Sequence, residues 1–200
     1  MNRRTMLGCL LTSWLGASVV RAAAAETVAV PGSAIRYPST IAFPTQGGTV
    51  NMVLTGTALR RKLIVNVYGI ASYIPEGTKV RTAADLVAAD VTKWLFIVME
   101  RDLEGESLAD GFRTAFKDAH GDGAYADSIG QLIAFFSKIT VKKGDGIILT
   151  HIPKQGLHIN VGNRDQKMIA EPAFAKAVWE IYLGDKPLTD SIKSGLISRL

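Results

Sequence analysis

One stretch limits the folds open to this chain more than any other: residues 146–162, "GIILTHIPKQGLHINVG". It holds two runs that alternate apolar and polar residues, separated by a turn at Pro153–Gly156. Two such runs joined by a short turn containing proline and glycine predict a β-hairpin. Hairpins pair antiparallel strands, whereas parallel strands need a long crossover. We therefore expect an antiparallel sheet.

The remaining segments fit such a sheet with helices packed on it. Strand-like length and β-branched or aromatic content occur at 49–54, 59–74 and 93–100. Helical spacing of apolar residues, or a helix start and stop signal, occurs at 82–90, 107–120, 125–139, 171–187 and 188–196. Strand pairs separated by helices, with hairpins rather than parallel crossovers, predict an α+β fold with one face of the sheet covered by helices.

The first 25 residues have the layout of a cleaved export signal. A cationic start, Arg3 and Arg4, precedes an apolar stretch, Met6–Val20, and the small-residue run Ala22–Ala25. The apolar stretch is shorter than the roughly 20 residues that span a bilayer as a helix. The arginine pair fits a twin-arginine signal and an ordinary secretion signal equally well. We predict a periplasmic protein with no membrane span in its mature chain.

The predicted division of the chain is an export signal (1–25), an N-terminal arm (26–42) and one domain (43–200).

Removal of the signal changes the charge balance. The whole chain has 23 Lys and Arg against 18 Asp and Glu. Arg3, Arg4 and Arg21 belong to the signal and no acid does, so the mature balance is 20 against 18. This near-neutral charge removes the main support for nucleic-acid binding. The single cysteine, Cys9, also lies in the signal, so the mature chain must be stabilised by packing rather than by disulfides.

The hairpin also raises the question of a metal site. A four-residue turn would pair Ile152 with Leu157 and set His151 opposite His158. Two imidazoles on one face could begin a metal site, but such sites need a third or fourth ligand. No cysteine or carboxylate is placed to join them, so we predict no metal.

Several motifs in one order carry a resemblance to a known family. They are "LTGTALRRK" (54–62) followed by "VYGIASYI" (67–74), the hairpin preceded by "KKGD", and "AFAKAVWEIYLGDKPLTDSIKSGLI" (173–197). From about residue 43 to the C-terminus the chain resembles the chalcone isomerase-like proteins, in particular their exported bacterial branch. The resemblance implies an open-faced β-sandwich, in which a large antiparallel sheet and a layer of helices enclose an apolar cleft.

The same resemblance implies two ligand-binding residues. Plant members of the family close a chalcone ring without a cofactor, and related members bind fatty acids with an arginine and a tyrosine at the carboxylate. Arg60 falls where the family has its anion-holding arginine. Tyr68 falls where the isomerases have a threonine, and a phenol there is similar to the fatty-acid-binding pattern. We expect no cofactor.

The catalytic residues of the isomerases are missing. Active members have a tyrosine and an asparagine on the segment that matches 102–115, which contains neither; its hydroxyls are Ser107 and Thr114. We assign no catalytic residue and predict binding of an apolar carboxylate or phenolic small molecule rather than cyclisation. Two alternatives stay open: a cofactor-free isomerase, that is an intramolecular lyase, and a periplasmic interaction module whose cleft is filled by its own side chains.

Arg60 itself has two interpretations, a ligand clamp or part of a solvated cationic turn with Arg61 and Lys62. Side chains alternate across a strand, so Arg60 and Arg61 cannot both face the cleft. We expect the mixed face of Arg60 and Tyr68 to line the cleft and the apolar face of Leu59 to pack against helices. Eight residues of straight strand span roughly 26 Å, so Arg60 and Tyr68 meet only if the chain turns between them.

Overall fold

The structure is a computed structural model and describes residues 26–45 and 48–200. The predicted export signal lies outside the described residues. A seven-stranded antiparallel sheet, in the order β11-β10-β9-β6-β5-β4-β3, forms the centre of the described chain. The strands are β1 (Thr27–Ala29), β2 (Arg36–Pro38), β3 (Thr40–Thr45), β4 (Gly48–Lys62), β5 (Val65–Pro75), β6 (Lys93–Met99), β7 (Leu103–Glu104), β8 (Thr140–Val141), β9 (Gly146–Ile152), β10 (Gly156–Val161) and β11 (Asp165–Ile169).

Five helices pack on one face of this sheet, as the sequence predicts. They are α1 (Ala83–Ala88), α2 (Gly105–His120), α3 (Ala126–Phe136), α4 (Pro172–Leu183) and α5 (Asp190–Leu196). The main apolar core lies between them and the sheet. α4 begins with a proline in its first turn and ends just before Gly184, as its start and stop signals indicate.

The opposite face of the sheet is covered by the N-terminal arm. β1 and β2 form a two-stranded ladder whose apolar side chains pack on the sheet in a second cluster with Tyr73 and Trp94. The hydroxyl of Tyr37 donates to the carbonyl of Gly69 at 2.8 Å, and that of Tyr73 donates to the carbonyl of Pro38 at 2.7 Å. The sheet is therefore covered on both faces around β4, β5 and β6.

The prediction of one strand over residues 59–74 is wrong. β4 and β5 are two strands of a hairpin that turns at Leu63 and Ile64. Leu63 has φ 55°, in the left-handed region that turns of this kind require. The turn has none of the glycine, asparagine or proline residues that usually mark one, so the apolar run looked continuous.

Gly56 is required by helix packing. An added Cβ at Gly56 would lie 2.1 Å from the carbonyl oxygen of Gly195 in α5. Next to it, the hydroxyl of Thr55 donates to the carbonyl of Leu196 at 2.8 Å. The end of α5 therefore rests directly on the β4 backbone, which only glycine permits.

The predicted pairing of the β9–β10 hairpin is wrong by one residue. Gly156 lies opposite Ile152, so His151 faces Leu157 and His158 faces Thr150. A shift of one residue moves a side chain to the other face of the sheet, so the two histidines lie on opposite faces. Across residues 26–45 and 48–200, no group of three or more His, Cys, Asp or Glu is placed to hold a metal ion.

No helix in the described ranges is both long and apolar enough to cross a membrane.

Candidate functional site

Arg60 and Tyr68 lie directly opposite each other across the β4–β5 ladder. Directly opposed residues have Cβ atoms about 4.5–5.5 Å apart and point to the same face of the sheet. The turn at Leu63 and Ile64 therefore removes the separation of roughly 26 Å that a straight strand would impose. A register shift follows immediately, between Arg60 and Arg61.

The three cations of the hairpin have different surroundings. Arg60 is half-buried, whereas Arg61 and Lys62 are exposed. Arg60 shares its face with Tyr68, which belongs to the core under the helices. Arg61 points to the other face, where its Nε donates to Oδ1 of Asn66 at 2.9 Å and its guanidinium lies against Gly32.

The predicted use of the two faces is therefore wrong in one respect. Leu59 packs into the cluster under the N-terminal arm rather than against the helices. The helices cover the mixed face of Arg60 and Tyr68 instead. At β4 and β5 the N-terminal arm covers one face of the sheet and the helices cover the other. An apolar face therefore does not indicate which of the two packs on it.

A second tyrosine completes the cluster. Tyr182, in the last turn of α4, is 2% exposed, and its hydroxyl interacts with the hydroxyl of Tyr68, which is 7% exposed. Burial raises the pKa of both phenols, that of Tyr182 well above its usual value. The positive charge of Arg60 lowers the pKa of both phenols, but burial has the larger effect. Both tyrosines therefore remain neutral hydrogen-bond donors at physiological pH.

This arrangement can hold an anion. Arg60 forms no ion pair with any residue in the described part of the chain. A phenol hydroxyl donates one hydrogen bond and accepts others, so that of Tyr68 can contact both Tyr182 and a ligand. A guanidinium and a phenol together bind a carboxylate through charge-assisted hydrogen bonds, which partial burial strengthens. A neutral phenol with a raised pKa is, by contrast, a poor general base.

The core packs closely above Tyr68. Two surface grooves, of about 710 Å³ and 500 Å³, lie elsewhere, and Arg60 and Tyr68 line neither. The larger lies beside Arg61, Ser191 and Ser194, and the smaller beside His120 and Glu180. The space between sheet and helices above Tyr68 is filled by Tyr182 and the core around it. An alkyl chain would have to displace part of the helical layer to enter there.

Comparison with known proteins places the chain in a family. The model of the chalcone isomerase-like family matches residues 35–198. The chain belongs to the chalcone isomerase-like family. Among solved structures, a fatty-acid binding protein of Arabidopsis thaliana matches with a TM-score of 0.66 and 16% identity, over 86% of this chain and 96% of that one. No curated protein sequence gives a significant match.

Within this chalcone isomerase-like chain, the segment that matches the isomerases' catalytic residues presents no polar group to the core. Phe112 of α2 is buried and its ring stacks on Phe136, with 5.3 Å between centroids. Ser107, Arg113 and Thr114 are exposed. The buried positions of α2 are Gly105, Leu108, Ala109, Phe112, Ala115 and Phe116.

Tyr182 is the site residue that sequence reasoning missed. It lies in the motif that supported the family resemblance, but its neighbours Ile181 and Leu183 are buried as well. Nothing in the sequence separates it from an ordinary core position. Only the contact between the end of α4 and β5 reveals its role.

Lys93 is a buried cation outside this cluster. Its Nζ donates to the carbonyls of Leu86, Val87 and Ala89, each at 2.8 Å, and so closes the C-terminal end of α1. Burial lowers its pKa to about 8. Because the ammonium group of Lys93 binds three carbonyls at the end of one helix, the role of Lys93 is structural.

Proposed function

We propose that this chalcone isomerase-like protein binds an apolar carboxylate of the fatty-acid type, with the carboxylate held by Arg60 and Tyr68. The observation that carries the proposal is the half-buried Arg60, which forms no ion pair among the described residues and lies beside the buried tyrosines Tyr68 and Tyr182. A partly buried cation without an acidic partner is costly in a folded protein, and an anionic ligand would remove that cost.

The fold supports the same assignment. The similar structure from Arabidopsis thaliana is described as a fatty-acid binding protein, and it shares the architecture over nearly its whole length. The face that holds Arg60 and Tyr68 is the face covered by helices, and its core is almost entirely apolar. An alkyl chain entering between sheet and helices would replace apolar contacts with apolar contacts.

Chalcone cyclisation is not part of the proposal. The reaction needs polar groups that stabilise developing charge on the ketone, within hydrogen-bond reach of it. The inward face of α2 supplies only apolar side chains, and both phenols near Arg60 have raised pKa values. We expect no cyclisation of chalcones by the purified protein. A rate enhancement that is lost in Arg60→Ala would assign the cofactor-free isomerase alternative instead.

Export to the periplasm remains part of the proposed function, because a ligand-binding protein there would meet lipids released from the envelope. It is supported by the cationic, apolar and small-residue order of residues 1–25.

Native mass spectrometry of protein purified from its own periplasm tests the proposal. We expect a bound species with the mass of a fatty acid or a similar apolar acid, and its loss in Arg60→Ala. Protein that carries no such species and binds no added fatty acid would favour the interaction module with a filled cleft.

A further inference from the structure

The tip of the β4–β5 hairpin exposes aliphatic side chains. Leu63 and Ile64 are 93% and 94% exposed, and the next residue, Val65, is 43% exposed. They are consecutive and lie at the outermost point of a two-stranded projection. Single exposed apolar residues are common on protein surfaces, but a run of three at a hairpin tip is not. We call residues Lys62–Val65 the apolar tip.

The backbone conformation of the apolar tip also disfavours a leucine at position 63. Leu63 has φ 55°, a conformation that glycine and asparagine adopt far more readily than a leucine. At the β9–β10 and β10–β11 turns, the non-glycine residues with positive φ are Lys154 and Asn163. Leu63 contributes neither burial nor a favourable turn conformation. A contact outside the folded chain would account for its presence.

Unpaired cations lie at the same end of the sheet. Arg101 follows Glu100, whose amide donates to the carbonyl of Val67, and Lys143 precedes Gly144, whose amide donates to the carbonyl of Met99. Lys62, Arg101 and Lys143 have no ion-pair partner among the described residues. Three acids at this end are already engaged: Glu100 by the hydroxyl of Ser33, Asp102 by Lys142 and Asp145 by Arg164.

We propose that the apolar tip docks this protein on the surface of a membrane that contains anionic lipids. Leu63 and Ile64 enter the boundary between headgroups and acyl chains, while Lys62, Arg101 and Lys143 face lipid phosphates. Apolar insertion combined with attraction of cations to anionic lipid is the general basis of peripheral membrane binding.

The size and shape of the apolar tip favour a lipid surface over a protein partner. Stable protein interfaces bury roughly 800 Å² on each partner, around a close-packed apolar centre. Three aliphatic side chains at a narrow projection do not provide such a centre. A bilayer needs no complementary shape, because its acyl chains rearrange around whatever enters.

The inference does not rest on fatty-acid binding, although the two features adjoin. Arg60 lies two residues before Lys62 on β4, so a docked tip would bring the proposed carboxylate site close to the lipid surface. The test can therefore be made with protein that carries no ligand.

Co-sedimentation with vesicles is the test, using vesicles of phosphatidylcholine alone and of phosphatidylcholine mixed with phosphatidylglycerol. We expect the purified protein to bind the mixed vesicles, less at high salt, and the neutral vesicles weakly. The double variant Leu63→Asn and Ile64→Thr should bind the mixed vesicles at least about tenfold more weakly. Its melting temperature should be unchanged or higher, because asparagine suits the positive φ of position 63.

Two matched controls make the result specific. Met168→Thr removes a partly exposed apolar side chain on β11, and Lys154→Gln removes a cation at the other end of the sheet. Neither should change vesicle binding, whereas Lys62→Gln with Lys143→Gln should weaken binding to the mixed vesicles only. The proposal is overturned if the purified protein binds neither vesicle, or if the tip variant binds as well as the original. The protein could also form a dimer without vesicles. If the tip variant abolished that dimer, the tip would be a contact with a second copy of the chain, and the membrane proposal would be overturned.

Discussion

Arg60 and Tyr68 share one rung of the β4–β5 ladder, although eight positions separate them in the sequence. The turn at Leu63 and Ile64 both creates this pair and exposes the apolar tip. A guanidinium and a phenol that neighbour each other on a helix-covered face, with the hydroxyl of Tyr182 interacting with the phenol, form the proposed carboxylate site.

Tyr68→Phe tests the phenol that is assigned to the ligand. It removes one charge-assisted hydrogen bond to the carboxylate, which contributes about 1.5–3 kcal/mol. We expect affinity for a long-chain fatty acid to fall roughly ten- to a hundredfold in an equilibrium titration. Tyr125→Phe is the control, because the hydroxyl of Tyr125 lies outside the cluster. The affinity of this variant for the fatty acid should be unchanged. A Tyr68→Phe variant that binds as tightly as the original would remove Tyr68 from the site.

Tyr182→Phe tests the support of that phenol. The change leaves the buried hydroxyl of Tyr68 without its partner, which costs about 1–2 kcal/mol in the free energy of unfolding. Denaturant unfolding should show this loss, with an unchanged dependence on denaturant concentration. No loss of stability would mean that the two hydroxyls do not depend on each other.

Gly56→Ala tests the close approach of α5 to β4. The added Cβ meets the carbonyl oxygen of Gly195, so we expect α5 to shift and the free energy of unfolding to fall by about 3 kcal/mol. Gly111→Ala is the matched control, since nothing lies within 4 Å of an added Cβ there. Because Gly111 lies inside helix α2, that change should stabilise the protein by about 0.5–1 kcal/mol. Equal effects of the two substitutions would contradict the close packing at Gly56.

The buried tyrosines predict how stability changes at high pH. Burial raises the pKa of Tyr37, Tyr68, Tyr73 and Tyr182 above the usual value of 10.0. Above pH 10 the unfolded chain loses phenolic protons that the folded protein still holds. The unfolding free energy must therefore fall as pH rises.

An ultraviolet titration checks this expectation. Phenolate absorbance from these residues should appear together with the loss of the native circular dichroism signal. Full phenolate absorbance near pH 10 in a protein that keeps its native signal would contradict the burial of the four hydroxyls.

The predicted export signal is tested by intact mass. Protein recovered from the periplasm should begin near Glu26. A mass that retains Met1 would contradict cleavage of the first 25 residues.

The sequence predicted the layers of the fold better than its turns. Helices α1 to α5 and the antiparallel sheet follow from apolar spacing and from start and stop signals, which are local. The β4–β5 turn could not be predicted in this way. Leu63 and Ile64 are residue types that favour strands, yet they adopt the conformation of a turn.

The candidate site was predicted only in part for the same reason. The family resemblance selected Arg60 and Tyr68, but their meeting depended on that turn. The place of Tyr182 in the candidate site depends on where the end of α4 reaches the sheet. Long-range packing sets that contact, and no local sequence pattern indicates it. Leu59 was assigned to the wrong layer because the arm, built from short extended pieces, gave no sign that it would cover the second face.

The most direct test of the central claim is the affinity for one long-chain fatty acid, measured by titration without vesicles, in Arg60→Ala, Arg61→Ala and Lys62→Ala. Loss of a charge-assisted pair costs about 1.5–3 kcal/mol, so Arg60→Ala should bind roughly ten- to a hundredfold more weakly. Arg61→Ala and Lys62→Ala should differ little from the original protein, because their side chains lie outside the cluster. Equal weakening by all three substitutions would mean that the hairpin attracts anions diffusely and that Arg60 holds no ligand.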